Sequence, residues 1–420
     1  MNSRFQQLLG TMWENFRKFG LGHCDLPTMV WNVAFMLRGF TLNIDSRFTG
    51  RIPKIFYITT IIIAFCYLYS YFFSMLWFVF VRCIETGDVT AAMIVFPLGI
   101  TSEIGIAKFI YTCVYRKKVR QLLQQYLEYD SQIPQGSRLS RHLLQALRNV
   151  KRRALIYWIF IVSNGTLYIL QPLVMPGRVP MEEVFVLYGL EPELETPNYE
   201  ITYVLCTLGS VCTCYLTSNV AAFLIIVSGY VESQLLALSE EILNVWDDAE
   251  LEYKVIDNAD EEEFENKEKY DAINESVKTR LKDIVKGHTT NINLLLQVED
   301  IYRGAFAFEF CILSVGLIAE LLGGLENTYM EVPFAIIQVG MDCLIGQRVM
   351  DACDTFESAV YSCKWERFNE ANMKTVFMML MNSQKTLTLT AGGIAVLNFV
   401  CLMSVFRSIY SAFTTLQSVM

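Results

Sequence analysis

Seven long apolar stretches divide this 420-residue chain, and the connections between them alternate between rich and poor in Lys and Arg. The stretches cover residues 55–81, 89–115, 155–175, 201–231, 301–323, 329–347 and 394–418. The first, third and fourth contain no Asp, Glu, Lys or Arg. A bilayer-spanning helix needs about 20 apolar residues, and several uncharged stretches of this length are hard to bury in a soluble domain. The pattern therefore predicts an all-α polytopic membrane protein with seven transmembrane helices.

The distribution of Lys and Arg predicts the orientation, because cytoplasmic connections carry an excess of these residues. The connection at 116–154 contains ten of them, whereas the flanking connections at 82–88 and 176–200 contain one each, Arg82 and Arg178. We therefore expect the N-terminus in the cytoplasm and, after seven crossings, the C-terminus outside the cell. This orientation is the reverse of that of the G-protein-coupled receptors.

The chain divides into five segments by these criteria. They are a cytoplasmic leader at 1–54, transmembrane helices 1–4 at 55–231, a cytoplasmic region at 232–300, transmembrane helices 5 and 6 with a cytoplasmic extension at 301–393, and the last helix at 394–420. Apolar residues at spacings of three and four predict that the fourth and fifth spans continue as helices into the cytoplasm. Between them, the acidic run at 257–266 is typical of a solvated or disordered loop. A helix break is expected at 134–136, where Pro and Gly occur together.

The sequence contains no motif for a metal site, a cofactor or nucleophilic catalysis. Eight of the twelve cysteines fall inside apolar stretches, where a free Cys packs as a small hydrophobe. The three histidines, His23, His142 and His288, are far apart in the sequence. We therefore expect neither an enzyme nor a cofactor, with membrane lipid rather than nucleic acid as a partner.

Hydroxyl groups form a stripe on the last predicted helix. Ser411, Thr414, Thr415 and Ser418 recur at spacings of three and one, so they share one helical face. Such a stripe either forms helix–helix contacts and bonds back to its own backbone, or lines water and coordinates passing ions weakly. Arg407 on the same helix favours water, because a cation in the middle of a bilayer costs roughly 2.5–3.5 kcal/mol on insertion scales.

Two C-terminal patterns resemble those of the insect odorant receptors. Residues 387–393 (LTLTAGG), followed by Phe399, Phe406, Tyr410-Ser411, Thr414 and Leu416, are similar to the family's last-helix pattern. Residues 357–362 (ESAVYS) with Trp365 are similar to its second pattern. Gustatory receptors of the same superfamily usually end with a Thr-Tyr…Gln-Phe pattern, which this chain lacks. The family's shared co-receptor is longer and ends differently, so the resemblance is to a tuning subunit.

The resemblance implies an odorant-gated, nonselective cation channel in the plasma membrane of an olfactory sensory neuron dendrite. Four subunits would surround one pore, and the tuning subunit would assemble with the co-receptor. The last helix would line the pore through Ser411, Thr414, Thr415 and Ser418. An uncharged pocket for a small volatile would lie in the outer halves of spans two, three, four and six. Its expected lining is Met93, Phe96, Ser163, Thr166, Leu170, Tyr203, Cys206, Thr207, Ser210, Phe334, Ile337 and Gln338.

Other functions stay open at this point. A metabotropic chemoreceptor coupled to a G protein would require the opposite orientation, and a gustatory receptor would share the same superfamily. A transporter is disfavoured, because the chain shows neither the internal repeats of most secondary transporters nor an evident pair of membrane carboxylates.

Overall fold

The computed structural model describes residue 13 and residues 17–182, 184–257, 266–324, 326 and 328–418. Both chain termini and residues 258–265 of the predicted acidic run lie outside this description.

Long α-helices make up most of the described chain. They are α1 (Leu26–Gly39), α2 (Lys54–Thr86), α3 (Val89–Val114), α4 (Arg116–Ser131), α5 (Arg138–Val174), α6 (Asn198–Leu243), α7 (Val245–Asp257), α8 (Asn266–Gly323), α9 (Glu331–Tyr361), α10 (Glu370–Ser383) and α11 (Phe399–Gln417). Helix α2 includes π-helical turns at Leu68–Ser74 and Phe78–Arg82, and a 3₁₀ turn covers Trp365–Arg367. Strand β1 (Thr390–Ala391) pairs with β2 (Ala395–Val396) in an antiparallel hairpin.

Six of the described helices are long and apolar enough to cross a bilayer, namely α2, α3, α5, α6, α8 and α11. Helix α9 has 31 residues, which at about 1.5 Å per residue is also sufficient. Its apolar surface is interrupted by Gln338, Asp342 and Arg348. Each predicted apolar stretch thus corresponds to one of seven long helices.

Helix α6 lies at the centre of the bundle. It packs against α1, α2, α3, α5, α8 and α9, and 83% of its most apolar 18-residue segment is buried. Glycines allow its closest contacts: a Cβ on Gly105 of α3 would lie 1.8 Å from Oγ1 of Thr217 on α6, and a Cβ on Gly229 of α6 would lie 2.4 Å from Cγ1 of Val150 on α5. Small residues at such crossings let membrane helices approach closely.

The predicted helical extensions are present. Helices α6 and α8 have 46 and 58 residues, far more than the roughly 20 that cross a bilayer. The expected break at 134–136 separates α4 from α5, which begins after Ser137; the Ser137 hydroxyl caps α5 by accepting the backbone N–H of Ser140 at 3.1 Å. Arg138 then joins three helices, donating to Glu241 at the end of α6 (2.9 Å) and to Asp248 on α7 (2.6 Å).

A hairpin precedes the last helix. Gly392 and Gly393 adopt φ values of +66° and +77°, which only glycine accepts readily. The backbone N–H of Gly392 donates to the carbonyl of Arg303 on α8 at 2.8 Å. The predicted break at these glycines is therefore a complete chain reversal, and α11 begins at Phe399, after the cap Asn398, rather than at Ile394.

Helix α11 lies on the outside of the bundle. It contacts α8 and α9, yet Ile409 is the only one of its described residues that is buried. The other residues of the helix are exposed or half-buried, so a large part of its surface is available to lipid, water or another subunit.

Candidate functional site

A cavity of about 60 Å³ lies among α2, α3, α5, α6 and the start of α9. It is roughly four to six times the 10–15 Å³ that one ordered water requires, so it accommodates a compact molecule. The lining consists of Tyr71, Leu98, Thr101, Ser102, Asn164, Gly165, Tyr168, Ser210, Thr213, Cys214, Met330, Glu331 and Phe334.

Most polar groups that line this cavity form hydrogen bonds with neighbouring protein groups. The hydroxyls of Tyr71 and Ser210 share a hydrogen bond of 2.5 Å, and Ser210 donates to the Cys206 carbonyl at 2.9 Å. The Asn164 amide donates to the Met330 carbonyl at 3.2 Å. Such bonds hold the wall in one arrangement and leave few donors free for a ligand.

Glu331 is the exception. It is the first residue of α9, its side chain is only 6% exposed, and its Oε2 has no hydrogen-bond partner among the described residues. Phe334 lies one turn further along the same helical face. The structure therefore places a carboxyl group in a lining that the sequence analysis expected to be uncharged.

Two of the twelve predicted pocket residues, Ser210 and Phe334, line this cavity. Cys206 does not line it, but its carbonyl accepts the hydrogen bond from Ser210. Met93, Phe96, Tyr203, Thr207 and Ile337 are half-buried, and Gln338 is buried, but none of these six lines the cavity. Ser163, Thr166 and Leu170 are exposed on α5. All twelve positions stay predictions as ligand contacts.

The difference on α5 has a simple geometric origin. The structure turns Asn164, Gly165 and Tyr168 towards the cavity, whereas the prediction named positions one or two residues away. One residue rotates a helix by about 100°, so a small offset exchanges the inner face for the outer. The sequence did contain one signal for the inner face of α5, namely Gly165, because glycine in a membrane helix favours close helix crossings. The structure shows such a crossing, since a Cβ on Gly165 would lie 2.4 Å from Sγ of Cys214 on α6.

The hydroxyl stripe on α11 is longer than predicted. Ser411, Thr414, Thr415 and Ser418 are all exposed, and Ser404 and Ser408 continue their line towards the start of the helix. The hydroxyls bond back to their own backbone: Thr415 to the Ser411 carbonyl at 2.8 Å, Ser418 to that of Thr415 at 2.7 Å, and Ser408 to that of Ser404 at 2.9 Å. Ser404 and Ser408 lie four residues apart, and Ser408 lies three residues before Ser411, so the same helical spacing places them on the predicted face.

A separate ionic cluster lies within the bundle. Lys108 of α3 donates to Asp342 Oδ2 of α9 at 2.5 Å, and its Nζ lies 2.8 Å from Oε2 of Glu309 on α8. The three side chains are at most 5% exposed. The sequence-based expectation that the membrane contains no paired carboxylates was therefore wrong. The cluster ties three membrane helices together, and a buried cation holds the two carboxylates.

Comparison with known proteins decides the family. The chain matches the model of the family described as 7tm odorant receptor over residues 88–410. The chain belongs to this insect odorant receptor family. Odorant receptor 22c of Drosophila melanogaster is 22% identical over 334 residues, covering 73% of this chain and 77% of that relative.

Solved structures of the insect olfactory receptor OR5 from Machilis hrabei share the fold. The receptor without a named ligand has a TM-score of 0.71 and its complex with eugenol has one of 0.68. Each is 13% identical in sequence, and each comparison covers 94% of this chain and 99% of the other.

Family membership confirms the predicted fold class. This odorant receptor is an all-α, multi-pass membrane protein with the family's seven transmembrane helices, here α2, α3, α5, α6, α8, α9 and α11. Helix α9, the sixth of these in chain order, is the one whose apolar stretch falls short of the hydropathy of the other six. The family is one of olfactory receptors and ion channels, not of enzymes, and the match favours an odorant receptor over the gustatory alternative.

Proposed function

We propose that this receptor is a subunit of an odorant-gated, nonselective cation channel in the plasma membrane. It would bind a small volatile in the cavity beside Glu331 and open a pore lined by α11, together with the family co-receptor. The observation that carries the proposal is a stripe of hydroxyl groups on a membrane helix, all of which the rest of the described chain leaves exposed.

The hydrogen bonds of the stripe support a cation path. Ser408, Thr415 and Ser418 donate their protons to backbone carbonyls of α11, so their oxygen lone pairs are the groups left for an ion. Oxygen dipoles of this kind replace part of the hydration shell of a cation without holding it tightly. The two interpretations of the stripe are thus compatible, because a hydroxyl that donates to its own backbone still presents its oxygen lone pairs to a passing ion.

Helix α9 supports a mechanical link between cavity and pore. Its first turn carries Glu331 and Phe334 in the cavity lining. Further along, Gly346 contacts the chain just before α11 so closely that a Cβ there would lie 2.0 Å from the Leu397 carbonyl oxygen. A ligand that binds the open arrangement better would shift the population of α9 positions, and α9 would move the start of α11.

The relative with a bound ligand supports the ligand class. The OR5 complex contains eugenol, a small volatile, in a receptor of the same fold. By analogy we propose a small volatile for this chain as well.

Co-expression of this chain with the family co-receptor tests the proposal. We expect volatiles to evoke a cation current, and Thr415→Val, which removes the oxygen but keeps the shape, to change its conductance or cation selectivity. Thr375→Val is the matched control, because Thr375 is a half-buried threonine of α10, away from α11, whose hydroxyl also donates to its own helix, to the Ala371 carbonyl at 3.2 Å. A Thr415 variant with unaltered permeation would contradict the pore assignment.

The orientation of the chain is part of the proposal and separates it from a metabotropic receptor. An epitope tag before Met1 should be stained only after cells are permeabilised, and a tag after Met420 should be stained on intact cells. The reverse pattern would favour coupling to a G protein.

A further inference from the structure

The carboxyl group of Glu331 is a buried acceptor without a compensating charge. Its side chain is 94% buried, given 6% exposure, and its Oε2 has no hydrogen-bond partner among the described residues. A carboxylate taken out of water is costly unless a cation or several donors meet it. The cavity that Glu331 lines is the space from which such a group can approach.

The surroundings of Glu331 are acidic. Glu320 on α8 is fully buried, and neither of its carboxyl oxygens has a hydrogen-bond partner in the described chain. Glu182 and Glu320 are the acidic side chains nearest to Glu331 among the groups that influence it, and Tyr168 connects Glu182 to the cavity through a hydrogen bond of 3.3 Å. No Lys or Arg occurs among the residues that line the cavity. A positively charged ligand group would therefore be attracted, whereas an acidic one would be repelled.

Aromatic rings complete the site. Tyr71, Tyr168 and Phe334 line the same cavity as Glu331. Aromatic rings attract a nearby cation through the negative charge on their faces, with a contribution of roughly 0.5–2 kcal/mol. A neutral alcohol would supply one donor to the carboxyl group, but an ammonium group supplies three donors, the missing charge and a partner for the rings.

We infer that this cavity binds a small aliphatic amine whose ammonium group pairs with the carboxylate of Glu331. The assignment rests on the proposed function, because it takes this cavity as the odorant site and names its ligand class. The size agrees, since about 60 Å³ suits a ligand of a few heavy atoms.

Ligand-dependent thermal stability of the purified full-length chain tests the inference without requiring a current. The probes are n-propylamine and 1-propanol at pH 7, which have the same number of heavy atoms and differ in charge. A ligand that binds only the folded state stabilises it by RT ln(1 + [L]/Kd), so the ligand concentration that is needed for a given rise in unfolding temperature scales with the dissociation constant. We expect the amine to produce the same rise at a concentration at least tenfold lower than the alcohol.

Glu331→Gln should remove this preference by raising the amine concentration that is needed, and a cooperative unfolding transition of the variant without ligand shows that it is folded. Glu200→Gln is the matched control, because Glu200 is an exposed carboxylate paired with Arg178, and it should keep the preference. The inference is overturned if the wild-type chain binds both probes equally, binds neither, or keeps its preference after Glu331→Gln.

The two proposals fail separately. A receptor that passes current in response to neutral volatiles but shows no amine preference would refute the amine site alone. A receptor that binds n-propylamine through Glu331 but passes no current with any ligand would refute the channel function alone.

Discussion

Replacing Lys108 by Met should strongly destabilise this receptor. The Lys108 ammonium lies 2.5 Å from Asp342 and 2.8 Å from Glu309, and the three side chains come from α3, α9 and α8. Methionine keeps the length and apolar stem of the side chain but removes the charge. Two carboxyl groups that are each 1% exposed would then face each other without a cation.

The expected loss is large because the carboxylates cannot recover their hydration. Removing one partner of a buried ion pair typically costs about 3–5 kcal/mol, whereas replacing all partners by well-packed hydrophobic residues is often close to neutral. At 1.4 kcal/mol per factor of ten, the single change should lower the folding equilibrium constant roughly a hundredfold to several thousandfold. The triple variant Lys108→Met, Glu309→Met, Asp342→Leu should recover most of that loss.

The assay is the thermal unfolding midpoint in detergent together with surface abundance in cells. Lys118→Met is the control, because Lys118 forms an exposed pair with Asp300 at 2.8 Å and exposed pairs contribute little. The reasoning is refuted if Lys108→Met unfolds at the wild-type temperature, or if the triple variant is no more stable than the single one.

Two further predictions concern the contact between α9 and the hairpin, and the connection between α5 and α6. Gly346→Ala should weaken the odour-evoked current while leaving ligand binding intact. The added Cβ would lie 2.0 Å from the Leu397 carbonyl oxygen and must displace that carbonyl by about 1.4 Å to reach ordinary contact at 3.4 Å. Loss of binding together with the current would contradict the link between α9 and α11. Burial raises the pKa of Glu193 from 4.5 to about 7, although Arg82 opposes the shift. The folded state then holds this proton more tightly than the unfolded state, so stability falls as pH rises from about 4.5 to 7. Glu193→Gln should therefore raise the unfolding midpoint at pH 8 and hardly change it at pH 4; an equal effect at both values would exclude this cause.

The arrangement of the membrane helices was largely predictable, because the bilayer imposes a length and a composition that one sequence displays directly. The uncharged stretch at 201–231 is the clearest example, and it became α6, the most buried helix. The break at 134–136 was predictable for an equally local reason, since Pro and Gly act on their own backbone.

The interior of the bundle was not predictable in the same way. Lys108 and Asp342 are 234 positions apart, and no local pattern in one sequence pairs residues at that distance. The inner face of α5 was misplaced because a helix turns by about 100° per residue, and its charge-free membrane segment offers little contrast between faces. The sequence shows Glu331 as a charged residue within the apolar stretch at 329–347, but only the packing of α9 brings its carboxyl group to a cavity.

The central claim is that α11 lines the ion path through its hydroxyl face. The most direct test applies a positively charged, thiol-modifying methanethiosulfonate reagent from outside cells that express the receptor with the co-receptor, during an odour-evoked current. Ser411→Cys should become blocked, whereas the wild-type chain and Phe413→Cys, which lies on the opposite face of α11, should keep their current. Block of Phe413→Cys with no block of Ser411→Cys would contradict the account.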